Sequence, residues 1–248
     1  MSQKPVVFVT GGGRGIGAAV VRLAAGRGWA VAFSYREDSA AAEALAAEIR
    51  AEGGEVLALR GDVADPGFPA PALDRIAAEL GPVTMLVNNA GITGRIGNFA
   101  DMPMEVMRRT FEVNVFGLMG LTQEVVRRWR AAGIEGRIVN LSSTAATSGA
   151  PGDYVHYAAS KAAVDAFTLG LAKELGPLGV RVNAVSPTVT RTRIHADGGK
   201  PERVEAAAGR IPLGRVGEPE ESAEAVIWLL SEEARFVSGS ILKVSGGG

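Results

Sequence analysis

The sequence predicts an α/β fold in which a doubly wound parallel sheet of about seven strands carries helices on both faces. Three observations lead there. Short β-branched runs recur along the 248 residues, the first six apolar almost throughout, as strands buried on both faces must be. Ala-rich stretches long enough for crossover helices separate them. Glycines cluster directly after the first run, where a strand would hand over to a helix.

The elements follow in order. VVFVT (6–10) is the first strand, and TGGGRGIGAAVVRLAAGRG behind it is a glycine turn opening a helix. AVAFSY (30–35), VLALRGDV (56–63), TMLVNNA (84–90), GRIVNLSS (136–143), RVNAVSP (181–187) and ILKVS (241–245) are the remaining strands. Helices with small or apolar faces are expected around 103–130 and 155–175. Met102, Met104 and Met107 stand at the start of the former, as gap-filling core or subunit contact. No Pro/Ser-rich linker or composition break divides the chain, so residues 1–248 are read as one domain. Residues 191–217, RTRIHADGGKPERVEAAAGRIPLGRVG, form its least regular part and are the expected substrate lid. His195 and Arg193 fall within it, either solvated or in reach of an anionic substrate.

Composition excludes several classes. Lys plus Arg number 26 and Asp plus Glu 27, a balance with no footprint for nucleic acid or an anionic membrane. Cysteine is absent, so there is no disulfide, thiolate metal site or nucleophilic Cys, which fits a reducing compartment and a cytoplasmic location. MSQKPVVFVT enters a strand-like run too soon for a signal peptide, and no apolar stretch approaches ~18 residues. No His stands with Asp or Glu at metal-ligand spacing, so no metal is expected. The partner indicated is a small molecule.

Gly11, Gly15 and Gly17 between a strand and a helix let the backbone turn sharply against a pyrophosphate, whose charge is met by the helix N-terminus. That context makes the fold Rossmann-type and the domain dinucleotide-binding. The second strand ends in Ser34 and Tyr35 where an acid would accept from the 2′-OH of NAD(H), and Arg36 follows. Arg14 reaches the same region. Two guanidiniums facing a 2′-phosphate favour NADP(H) over NAD(H), with Glu37 and Asp38 as competing partners for Arg36.

Tyr157 and Lys161, four apart on a predicted helix, share a face. A free phenol, pKa ~10, transfers protons sluggishly at neutral pH. An ammonium ~5 Å away at an effective dielectric of ~20 favours the phenolate by roughly 3 kcal/mol, or about 2 pK units. Ser142 and Ser143 end the fifth strand, at the edge where such sheets place ligands, and either can hold a substrate oxygen. His156, beside Tyr157, is expected to face solvent from the helix start.

TGGGRGIG (10–17), DV (62–63), NNAG (88–91), Asn114 in FEVNVFG, the serine after GRIVNLS, and YAASK (157–161) occur in this order. End to end, the chain resembles the short-chain dehydrogenase/reductases. The resemblance implies that Ser143 positions a carbonyl, Tyr157 donates or accepts the proton, Lys161 stabilises the phenolate and contacts the ribose, and Asn114 supports a water-linked relay. It implies cofactor contacts at Gly11, Gly13, Arg14, Gly15, Ile16, Gly17 and Arg36, at Asp62 and Val63 beside adenine, and at Asn89, Ala90 and Gly91 beneath the adenosine ribose. Tyr157, Lys161, Pro187, Val189 and Thr192 would reach the nicotinamide end. Two positions depart from the family pattern: Thr188 follows Pro187 where glycine is usual, and Ser245 stands where aspartate is common.

The implied activity is reversible hydride transfer between NADPH and a carbonyl or secondary alcohol, as in 3-oxoacyl carrier protein reductases and glucose dehydrogenase-like members. Members commonly assemble as homotetramers through the 103–130 and 155–175 helices. Competing readings are an NAD-linked sugar or alcohol dehydrogenase and a catalytically silent NADP(H)-binding sensor.

Overall fold

A computed structural model describes residues 4–248. Part of the amino-terminal run read for a signal peptide, residues 1–3, therefore lies outside the described residues. Seven parallel strands are ordered β3-β2-β1-β4-β5-β6-β7. The strands are β1 (Val6–Val9), β2 (Ala30–Tyr35), β3 (Val56–Arg60), β4 (Met85–Asn88), β5 (Arg137–Leu141), β6 (Arg181–Pro187) and β7 (Ile241–Val244). β3 and β4 end earlier than the sequence suggests, because GDV (61–63), Asn89 and Ala90 leave the ladder to turn at the carboxyl edge. Strand order reverses between β1 and β4, which pair directly with Val7 opposite Met85, and this reversal opens the crevice in which such sheets bind ligands.

The crossover helices are α1 (Gly15–Gly26), α2 (Ser39–Ala51), α3 (Pro69–Glu79), α4 (Met104–Phe111), α5 (Leu118–Ala132), α6 (Ala145–Ser148), α7 (Val155–Leu175), α8 (Ile194–Asp197), α9 (Arg203–Ala207) and α10 (Pro219–Leu230). Side chains alternate across the sheet. Val7, Val9, Val31, Phe33, Val87 and Val139 meet α1, α2 and α10 on one face. Val6, Phe8, Ala32, Leu86, Ile138 and Val182 meet α3, α5 and α7 on the other. With both faces covered, the strands are apolar at most positions, which is what made the runs readable.

The helix expected over 103–130 is interrupted. Glu112–Gly117 forms a π-helical turn between α4 and α5, a wider winding that concentrates at functional sites. Met102 is buried and Met104 exposed. Residues 191–217 contain α8, α9 and a 3-10 turn, and Thr190 bridges Gly217 so that the segment leaves and returns at one point. No helix among the described residues is long and apolar enough to cross a membrane, and none of their His, Asp and Glu side chains forms a metal-binding cluster.

Candidate active site

The crevice begins at the glycine turn. Gly11 and Gly15 take φ of 63° and 54°, conformations costly for a residue with a Cβ. A Cβ on Gly17 would lie 2.4 Å from the Gly11 carbonyl oxygen and 2.5 Å from Asn89 Nδ2, so only glycine lets α1 approach β4 here. Arg14 caps α1 without a side-chain bond, and no acid occupies the first turn. That helix start, uncapped and free of negative charge, fits the phosphates of a dinucleotide. Gly13 lies against Tyr35, and Ile16 packs on the core.

Two supporting residues were missed in the sequence. Thr10 Oγ1 accepts from the Asn89 and Ala90 amides, both at 3.0 Å, while Asn89 Nδ2 donates to the Thr10 and Gly11 carbonyls at 2.8 and 3.0 Å. Ser34 is buried and its Oγ accepts from Gly11 N at 3.2 Å. A hydroxyl at the end of an otherwise apolar strand was the available signal for both.

The two arginines read toward a 2′-phosphate already have acidic partners. Arg14 pairs with Asp197 of α8 at 2.6 Å, and Arg36 pairs with its neighbour Glu37. Asp62 accepts from the Ala64 amide and from Arg109. Burial raises its carboxyl, but those two bonds and the charges of Arg109 and Arg36 outweigh burial and leave it below the usual carboxylate range. Arg109, on α4, was not among the predicted residues. Val63 is buried, its carbonyl packed by Gly117 of the π-turn.

Asn114 sits buried in that turn. Its Oδ1 accepts from Ile92 N at 2.9 Å, and its Nδ2 donates to Ile92 O at 2.9 Å and Ser160 Oγ at 3.0 Å. It ties the chain after β4 to α7. From the place a Gly91 Cβ would occupy, Asn114 Oδ1 is 3.3 Å and Lys161 Nζ 3.4 Å away, so Gly91 keeps these groups adjacent.

Ser142 and Ser143 diverge at the end of β5. Ser142 is buried and turns toward Lys161 O and Asp165. Ser143 Oγ accepts from Ala145 N at 3.2 Å and lies on the side of Tyr157, whose phenol it draws down. Tyr157 and Lys161 are both buried on α7, with Lys161 Nζ 5.8 Å from the centre of the tyrosine ring. The expected lowering of the phenol by the ammonium is not what this geometry gives. Burial pushes the Tyr157 phenol up, the Ser143 hydroxyl opposes it, and Tyr154 adds to the rise. Nζ instead donates to Leu141 O at 2.6 Å, and burial, partly offset by Asp165, holds Lys161 down at about 8. Desolvation is the largest effect on both groups.

His156 contradicts its expectation. It is buried, with Nε2 donating to Thr93 O at 2.9 Å, and burial lowers its pKa against that bond. The chain after β4 covers the start of α7, a long-range packing that local sequence does not disclose. His195 is also buried, ruling out the solvated alternative, and is pushed down to about 4 by burial and the Arg203 charge. Arg193 remains exposed, 3.7 Å from Asp38.

At the end of β6 the Pro187 carbonyl accepts from Thr144 N, and Val189 O accepts from Gly217 N. Thr192 lies against Gly15, 3.2 Å from the site of its absent Cβ, bringing this segment onto the glycine turn. Thr188 raises no strain, since Ala150 alone among the described non-glycine residues has a positive φ.

Comparison with known proteins bears on this crevice. A family model described as enoyl-(acyl carrier protein) reductase matches residues 11–248. The uncharacterized oxidoreductase YgfF of Escherichia coli (strain K12) is 39% identical over 98% of this chain and 99% of its own length. An L-rhamnose 1-dehydrogenase (NAD(P)(+)) of Sphingomonas sp. (strain SKA58) is 38% identical over 97% of this chain and 94% of its own. Among solved structures, a short chain dehydrogenase from Burkholderia cenocepacia J2315 in complex with NADP is 35% identical, with a TM-score of 0.89 over 99% of this chain and 97% of that one.

Proposed function

The chain belongs to the short-chain dehydrogenase/reductase family, and from that premise we propose that it transfers a hydride between NADP(H) and a carbonyl or secondary alcohol of a small molecule, with Tyr157 moving the proton. The observation that carries the reading is Tyr157 and Lys161 buried together on α7, Nζ 5.8 Å from the centre of the tyrosine ring, with Ser143 just past β5 on the side of the phenol.

The nicotinamide, when bound, supplies the hydride chemistry. Gly11, Gly13, Gly15, Ile16 and Gly17 would hold the phosphates, Arg14 and Arg36 the 2′-phosphate end, Asp62 and Val63 would border adenine, and Asn89, Ala90 and Gly91 would line the adenosine ribose. Lys161, with Pro187, Val189 and Thr192, holds the far end. Ser143 orients the substrate oxygen. Tyr157, a phenol at neutral pH whose burial raises its proton affinity further, gives its proton to a carbonyl being reduced and, once deprotonated, takes one as the phenolate from an alcohol being oxidised. Asn114 holds the loop against which Lys161 is seated. Residues 191–217 act as the substrate lid.

NADP(H) is favoured by Arg14 and Arg36 at the ribose end, and by the NADP complex of the structural relative. An NAD-linked dehydrogenase is the second reading, favoured by the ion pairs of Arg14 with Asp197 and Arg36 with Glu37. Titrating both dinucleotides decides between them. Exposed Phe116 in the π-turn and Leu169 on α7 support homotetramer assembly, which sedimentation velocity reads directly.

Tyr157→Phe tests the mechanism. Turnover falls by at least about 100-fold while NADPH still binds in a fluorescence titration. Unchanged turnover would refute the assignment.

A further inference from the structure

We propose that Arg203 is a positioning residue that couples the lid to the catalytic tyrosine: it docks in a socket formed by Asp153 and Tyr154, and Tyr154 carries that docking to Tyr157. The inference rests on the hydride-transfer reading for its kinetic consequences and on geometry alone for the docking.

The contacts form one chain. Arg203, the first residue of α9, places Nη1 2.5 Å from Asp153 Oδ2. Its guanidinium lies over the Tyr154 ring, 4.7 Å from the centroid. Lys200 adds a second cation 3.7 Å from Asp153. Tyr154 meets Tyr157 edge to face, with centroids 5.0 Å apart and planes at 83°, a geometry that fixes the orientation of both rings. Arg203 thus touches the ring that touches the proton-transferring ring, yet has no contact with the reacting atoms itself.

The socket is built for this position. Ala150, in the loop before α7, holds φ at 46°, a left-handed conformation unfavourable for a residue with a Cβ and retained where surrounding structure demands it. Its carbonyl accepts from both the Asp153 and Tyr154 amides, so this turn presents the two socket residues side by side. The Asp153 carbonyl accepts from Gly97 N at 2.6 Å, and Gly198 O, in the lid, accepts from Ile96 N at 3.0 Å. Residues 93–98 therefore tie socket and lid together from a third direction.

The docking is also incomplete in a way that suits a lid. Arg203 Nε and His195 Nδ1 are buried without hydrogen-bond partners. Unmatched buried polar atoms penalise the closed arrangement, so the ion pair and the ring stack hold the lid against a counterweight and allow it to reopen. Arg203→Ala removes both attachments. Arg203→Lys keeps the charge but loses the planar stack on Tyr154.

The test combines hydrogen exchange of lid peptides spanning 194–210 with steady-state kinetics and an NADPH titration. In Arg203→Ala, lid amides exchange at least tenfold faster, KM for the substrate rises at least tenfold, kcat falls at least threefold as Tyr154 no longer braces the Tyr157 ring, and NADPH affinity is unchanged. Arg203→Lys gives intermediate exchange and KM. Combining Asp153→Asn with Arg203→Ala adds little to Arg203→Ala alone, because the Arg203 contact is being removed twice and only the 3.7 Å pair with Lys200 is lost besides. Unchanged lid exchange and KM in Arg203→Ala would overturn the proposal, as would full recovery of both by lysine. If the unaltered protein turns over no carbonyl or alcohol, the hydride-transfer reading fails, while hydrogen exchange still decides whether Arg203 holds the lid.

Discussion

Lys161→Met is predicted to stabilise the fold while abolishing turnover. Burial lowers the Lys161 ammonium from 10.5 to about 8. At pH 7 the native state therefore carries a charged group it disfavours, at a cost of about 3 kcal/mol. Methionine of similar length removes that cost. The Leu141 carbonyl then loses its donor and Asp165 its neighbouring cation, which offsets roughly half of the gain. The net is about 1.5 kcal/mol, or roughly 3–6 °C in Tm for a chain of this size. The sign with pH follows from linkage. Between pH 8 and 10.5 the unfolded chain binds the proton that the native lysine has released, so the stability of the unaltered protein rises through that window. The advantage of Lys161→Met accordingly disappears at about pH 9 and is reversed at pH 10. Thermal unfolding followed by circular dichroism at pH 7 and pH 10, with turnover measured on the same samples, tests all three points. A variant less stable at pH 7, or an equal gap at both pH values, would refute the reasoning.

Gly17→Ala forces its Cβ against the Gly11 carbonyl and Asn89. We expect about 1–3 kcal/mol lost in urea unfolding together with weakened NADPH binding. Gly13→Ala, whose Cβ would meet Tyr35 at 3.5 Å, changes stability by less than about 0.5 kcal/mol. Arg109→Ala removes the partner of Asp62, a contact open to solvent and worth under about 1 kcal/mol. Because the native carboxyl is lowered from 3.8, that contribution is present above pH 3.8 and fades as pH falls through the native value. Urea midpoints at pH 7 and pH 3 read the difference, and an equal loss at both would contradict it. Replacing Arg14 and Arg36 together by alanine weakens NADP binding at least tenfold and leaves NAD binding within twofold; equal losses for both would favour the NAD reading.

What could be read in the sequence was local. A strand covered on both faces has to be apolar at most steps, so VVFVT and GRIVNLSS announced themselves, and the positive φ at Gly11 and Gly15 follows from the tight turn between β1 and α1. What could not be read depends on residues distant along the chain. Asn88, Asn140, Thr122 and Thr168 form a buried hydrogen-bonded ladder at 2.9 Å spacings from β4 and β5 to α5 and α7, yet each alone looks like a polar residue in the wrong place. His156 was read toward solvent because its cover, Thr93, lies 63 positions away. Arg14 was read toward a ribose phosphate, but Asp197 enters from the lid and pairs with it.

The same distinction explains the phenol and the ammonium. Their spacing on α7 is a property of the helix and was legible, whereas their acidities are set by what buries them. The surroundings of this pair are assembled from outside α7: the Tyr154 ring and the Ser143 hydroxyl reach Tyr157, and the Leu141 carbonyl reaches Lys161. A four-residue spacing can thus identify which groups share a face, but the proton affinities that decide whether they work as acid or base belong to the folded crevice.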